Sequence, residues 1–230
     1  MDTSTLILHF NDIIGKSVNE KVVLLKQPGV VEWLTDENQF IAFLDSIYPE
    51  LLLLSEQKTL KGKNLPKSKI REEYKKKEDE WGQNTLSTKR PDLLKHGQWT
   101  TKLGEHSLEE LQILLGKTPT SPINKNGYKP DCEVEDAIWE AKAQTYFTDG
   151  TAGEKILGVP FKYADIPELY GKPLKILCMG CAEKLSREHY GNLSGEKCTE
   201  KKNKLIDFYK EMGIEWVGAT DLIKEIISNF

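Results

Sequence analysis

The sequence predicts an α/β fold: a three-layer core, a mixed central sheet flanked by helices, preceded by a helical N-terminal region. Three observations lead there. Residues 137–145, AIWEAKAQT, alternate with a period of two, as a half-buried strand does. Residues 174–179, LKILCM, make a short apolar run bounded by Pro173 and Gly180, which suits a buried strand beside the first. From residue 195 onward, helix-like and strand-like patterns alternate. The boundary is placed near Lys95, giving a helical region over residues 1–95 and an α/β core over residues 96–230.

Taken in order, residues 6–14 show apolar positions at helical spacing. Thr35 is the expected N-cap of a helix over residues 36–48, with Phe40, Leu44 and Ile47 on one face, and Pro49 ends or restarts it. A second helical piece is expected over residues 50–60. Beyond Gly62 and Pro66, residues 68–81 are helix-competent but mostly polar. Residues 82–97 read as a loop, with Lys89, Arg90, Lys95 and His96 among small polar residues suited to phosphate and base-edge contacts. A helix follows over residues 103–115, with Leu108, Leu111 and Leu115 on one stripe and Gly116 at its end. In the strand over residues 137–145, Ile138, Glu140, Lys142 and Gln144 share one face. Trp139, Ala141, Ala143 and Thr145 share the other, where two alanines invite close approach of a helix. After it, the glycines of TDGTAGEKILG either expose backbone N–H groups at the start of a helix from Ala152, a natural place for phosphate with Lys155 close by, or make a tight helix-packing turn. A helix over residues 201–212 is expected to turn Leu205, Phe208 and Tyr209 inward. A last strand covers residues 214–217, and Thr220 is expected to cap a closing helix that buries Leu222, Ile223, Ile226 and Ile227.

At 230 residues the chain is long enough for one sizeable core. The run of Leu51 to Leu54 is its most apolar and far too short for a bilayer, and the N-terminus lacks a signal-peptide profile, so a cytosolic protein is expected. The net charge of −4 argues against nucleic acid at first. Its distribution reopens the question: residues 58–77 hold nine basic residues against two acids, read either as a DNA-contacting arm or as a solvated linker. Of four cysteines, Cys178 and Cys181 have zinc-like spacing that His189 and Cys198 would complete, but a buried thiol at the end of LKILC is the plainer reading.

The chemistry concentrates in GYKPDCEVEDAIWEAKAQTY. A bend between Asp131 and Glu140 brings two carboxylates together, and a hard divalent cation wants a few carboxylate oxygens plus water and phosphate. Lys142 then sits beside that cation. The pattern Pro130-Asp131, then Glu140-Ala141-Lys142, resembles the PD-(D/E)XK nuclease superfamily, and more narrowly type II restriction endonucleases. The likeness runs from about Trp99 to Glu183 and includes WTTKLGEHSLEELQILLG, GYKPD, EAKAQTY and DGTAGEKILGVPFKYADIPELYGKPLKILCMG. It implies Mg²⁺ held by Asp131, Glu140 and Ala141, with Lys142 activating water. It also implies a further helix carboxylate, Glu105, with Glu109 one turn on as the second choice. DNA contacts are expected at Lys89, Arg90, Lys95, Gln144, Thr151 and Lys155. The implied activity is Mg²⁺-dependent cleavage of double-stranded DNA at a short palindrome by a homodimer, since a two-fold pair offers one site to each strand. Two alternatives stand beside it: a repair or structure-specific nuclease of the same superfamily, and a catalytically silent DNA-binding protein.

Overall fold

The computed structural model describes residues 15–89, 99–147 and 152–230. The expected helix over residues 6–14 and the expected boundary near Lys95 lie outside them. Helices α1 (Val18–Leu25), α2 (Val30–Trp33) and α3 (Glu37–Ile47) open the chain, followed by a 3₁₀ turn at Pro49–Leu53 and a long helix, α4 (Lys67–Lys89). Next come α5 (Trp99–Leu114), β1 (Cys132–Glu133), β2 (Ile138–Gln144), α6 (Ala152–Lys162), α7 (Ile166–Tyr170) and β3 (Leu174–Gly180). The chain closes with α8 (Cys181–Leu185), α9 (Glu200–Glu211), β4 (Ile214–Gly218) and α10 (Ala219–Ser228).

The four strands form one mixed sheet in the order β1-β2-β3-β4, with β1 antiparallel to β2 and the other pairs parallel. Parallel neighbours need long crossovers, which α6 with α7 supplies between β2 and β3, and α8 with α9 between β3 and β4. Helices cover both faces. On one, Trp139, Leu177 and Met179 join an apolar cluster with Val22 and Leu25 of α1, Phe40 and Leu44 of α3, Leu108 and Leu111 of α5, and Ile223 and Ile226 of α10. On the other, Ile138, Leu174, Ile176 and Ile214 pack with Val159, Tyr163 and Ile166. The N-terminal helices thus share a core with the sheet, and a buried ion pair, Lys21 to Glu110 at 2.7 Å, ties α1 to α5.

Two glycines set close approaches. A Cβ at Gly104 would lie 2.9 Å from the Ala143 Cβ, so α5 presses on the alanine face of β2. Gly180, at φ 61°, faces the Gln144 carbonyl, where a Cβ would stand 2.8 Å away. Pro160, inside α6, has no N–H for the carbonyl of Ile156 four residues back. The Trp216 indole N–H from β4 donates to that carbonyl instead, at 3.1 Å.

Several expectations are corrected. Asp36, not Thr35, caps α3, its carboxylate accepting from the Asn38 N–H at 2.9 Å; α2 ends so late that Thr35 still belongs to its last turn. Ile47 is 40 % exposed, at the frayed end of α3. The helix expected over residues 50–60 is only the short 3₁₀ turn. α4 runs on through residues 82–89, which had read as loop: after Pro66 the next proline is Pro91, and Gly82 alone does not stop a helix anchored by Trp81. On α9, Leu205 and Phe208 are 61 % and 55 % exposed, whereas Tyr209 turns inward as expected, its ring 5.7 Å from that of Trp216. Thr220 lies within α10, whose N-cap is Gly218. The capping acceptor is the Glu183 carboxylate of α8, which takes the Thr220 N–H at 3.1 Å and the Thr220 hydroxyl, and is itself held by Arg187.

Candidate active site

β1 begins only at Cys132, so along the rest of β2 the edge facing it has no strand partner among the described residues. The Asp131 N–H still donates to the Trp139 carbonyl at 3.1 Å, the last bond of the ladder. One step further, the Asp131 carboxylate takes the place of a backbone acceptor and receives the Ala141 N–H at 2.7 Å. The Ala141 carbonyl points to the same open edge, because N–H and C=O of one strand residue share a side. Glu140 and Lys142, two apart and hence on one face, form an ion pair at 2.6 Å, and the Lys142 ammonium also donates to the Ala141 carbonyl at 3.2 Å. The bend expected between Asp131 and Glu140 is therefore present.

These groups open into a cavity of about 350 Å³ that Glu105, Gln144, Thr145 and Lys155 also line. Glu105 pairs with Lys102 one turn away on α5. Glu109 is exposed. Burial, and then the neighbouring Glu140 charge, push the Asp131 carboxyl well above the usual range, against the pull of the Ala141 N–H and Lys142. Glu140 is only 6 % exposed, and its Oε2 has no hydrogen-bond donor.

Neither family models, nor curated proteins, nor solved structures match this chain. The site is therefore read from its own chemistry.

A buried carboxylate with an orphaned oxygen, the half-buried Asp131 carboxylate in the same cavity, and a carbonyl on the same edge are a fitting donor set for a hard divalent cation. No three His, Cys, Asp or Glu side chains among the described residues gather into a ready-made cage. Mg²⁺ in particular is commonly held by one or two carboxylates, with water and phosphate completing its shell.

The remaining expected contacts divide. Gln144 and Lys155 line the cavity. Lys89 is the last residue of α4, and Arg90, Lys95 and Thr151 lie outside the described residues. In the basic segment, Lys75 pairs with Asp79, Lys76 with Glu73, and Lys77 with both Glu80 and Glu50, so three acids beyond the counted stretch, Glu50, Asp79 and Glu80, offset part of its charge. Cys178 is buried beside Ile156 and Leu193, whereas Cys181 packs against the opposite apolar cluster, so the two thiols of the Cys-x-x-Cys spacing diverge.

Sequence reasoning missed the support beneath the strand's exit. The sequence of α4 reads only as a mostly polar helix, yet its Arg71 donates to the Tyr146 carbonyl at 2.6 Å, and its buried Glu78 accepts the Tyr146 N–H at 3.1 Å. The available signal was Tyr74, Glu78 and Trp81, spaced for one face of a helix otherwise rich in lysine.

Proposed function

We propose that the chain is a Mg²⁺-dependent endonuclease of the PD-(D/E)XK type, and more narrowly a type II restriction endonuclease that cuts double-stranded DNA at a short palindrome as a homodimer. The observation that carries this reading is the buried Glu140 carboxylate, one oxygen on Lys142 and the other without a donor, next to Asp131 in one cavity. Asp131, Glu140 and the Ala141 carbonyl are the groups to hold the cation. Mg²⁺ bound there would supply Lewis-acid stabilisation of the charge that builds on the phosphoryl oxygens and a lowered pKa for the attacking water. Lys142 keeps an ammonium at the same spot, fixed by Glu140 and the Ala141 carbonyl, where it orients water and offsets transition-state charge. Glu105 lines the same cavity, and its pair with Lys102 offsets the negative charge it adds there.

Digestion of a large sequenced plasmid with Mg²⁺, followed by mapping of the ends, tests the reading. Discrete ends at one short palindrome are expected. A smear points to a repair or structure-specific nuclease, and a complete absence of Mg²⁺-dependent cutting overturns the enzyme reading in favour of a DNA-binding protein.

A further inference from the structure

The cavity continues past Glu140. A second depression of about 410 Å³ shares Glu140, Lys142 and Lys155 with it and runs on to Gly158, Lys162 and Tyr163. Lys155 and Lys162 stand seven residues apart on α6, two turns, hence on one side of the helix. Between them Gly158 leaves the wall low: a Cβ there would meet nothing within 4 Å. Lys162 is held in place, its ammonium 4.6 Å from the centre of the Tyr163 ring and donating to the Tyr163 hydroxyl at 3.1 Å. Among the described residues Glu140 is the one acid lining this depression, and it pairs with Lys142. Lys155 and Lys162 are both exposed along it. At 1.5 Å rise per residue they sit about 10 Å apart along the helix axis, farther than a single phosphate group spans.

We propose that Lys155 and Lys162 form a phosphate track that binds the backbone of the DNA strand on one side of the scissile phosphate. The proposal rests on the nuclease reading, since it needs a substrate that extends past the reacting phosphate as a chain of further phosphates. A mononucleotide or a lone phosphate would occupy only one of the two positions. Lys162 is the residue new to the site, and its stacking on Tyr163 fixes an ammonium that would otherwise sample many rotamers.

The test is fluorescence-anisotropy titration of a short DNA duplex, with Ca²⁺ in place of Mg²⁺, at several salt concentrations. Wild type is compared with the Lys155→Gln/Lys162→Gln double variant, and thermal melting checks that the variant is folded. Each lost phosphate contact removes about 0.9 from the slope of log affinity against log salt, so the double variant should lose about 1.8, equally for every duplex sequence. A slope unchanged from a wild type that does bind overturns the track and leaves the nuclease reading standing. A wild type that binds no duplex overturns both. Loss of Mn²⁺ binding in Glu140→Gln then reports separately on the carboxylate pair.

Discussion

At the scale of single residues, the site turns on the charge of Asp131 beside the Glu140 carboxylate. Burial and mutual repulsion raise the Asp131 carboxyl, so this group holds its proton to higher pH than an exposed aspartate. A cation must displace that proton, and its affinity should therefore rise as pH rises through the weakly acidic range. Mn²⁺ titration at a series of pH values checks this, and a flat profile would contradict the raised carboxyl. Lys142→Ala should lower cutting by about a hundredfold or more while leaving Mn²⁺ affinity intact or stronger, because the Glu140 oxygen it occupies is released. Wild-type cutting by this variant would make Lys142 a bystander. Glu140 and Lys142 were legible in the sequence because a strand fixes side-chain direction with a period of two, and Asp131 because a bend before that strand returns it to Glu140. The Asp131 bond to the Ala141 N–H was not, since it depends on β1 beginning only at Cys132, one residue later, at a point no propensity marks.

At the scale of elements, two contacts hold β2 in position. α5 lies so close that Gly104→Ala would press its methyl against Ala143; a loss of about 1–3 kcal/mol in chemical denaturation is expected, and no loss would contradict the contact. α4 holds the strand's exit through Arg71, through Glu78, and through Tyr74, whose ring stacks on Phe147 at 5.1 Å. Burial pushes Glu78 up to about 7 from 4.5, against its hydrogen bonds. A carboxyl whose folded pKa lies above its unfolded one binds more protons in the folded state, so stability falls as pH rises from about 4.5 to about 7. Glu78→Gln should flatten that fall and gain up to about 3 kcal/mol above the window. Urea denaturation near pH 5 and near pH 8 measures it, and a variant weakened equally at both would show that the charge is not what costs stability. The alternation of β2 and the leucine stripe of α5 were readable because each pattern matches its own period. α9 was misread because Leu205 and Phe208 have the spacing of a buried stripe, and spacing alone does not say whether another layer covers it. The cap of α10 was unreadable for a different reason: Glu183 stands 37 residues before Thr220 in the chain.

At the scale of the molecule, helices on both faces of a mixed sheet were foreseen from the alternation of patterns, but the merging of the N-terminal helices into the sheet's own core was not. Phe40, Trp81 and Tyr146 meet across 5.4 to 6.2 Å ring separations, contacts between segments that local patterning treats as independent. None of the described helices is long and apolar enough to cross a membrane. For a two-fold enzyme on palindromic DNA, sedimentation should show a species of twice the chain's mass, at least when duplex is present; a strict monomer on its cleaved site would contradict the dimer. The most direct test of the central claim is cleavage of supercoiled plasmid with Mg²⁺ by wild type and Glu140→Gln side by side. The account predicts cutting by the wild type that EDTA abolishes, and none by a folded variant; equal cutting by both would contradict it.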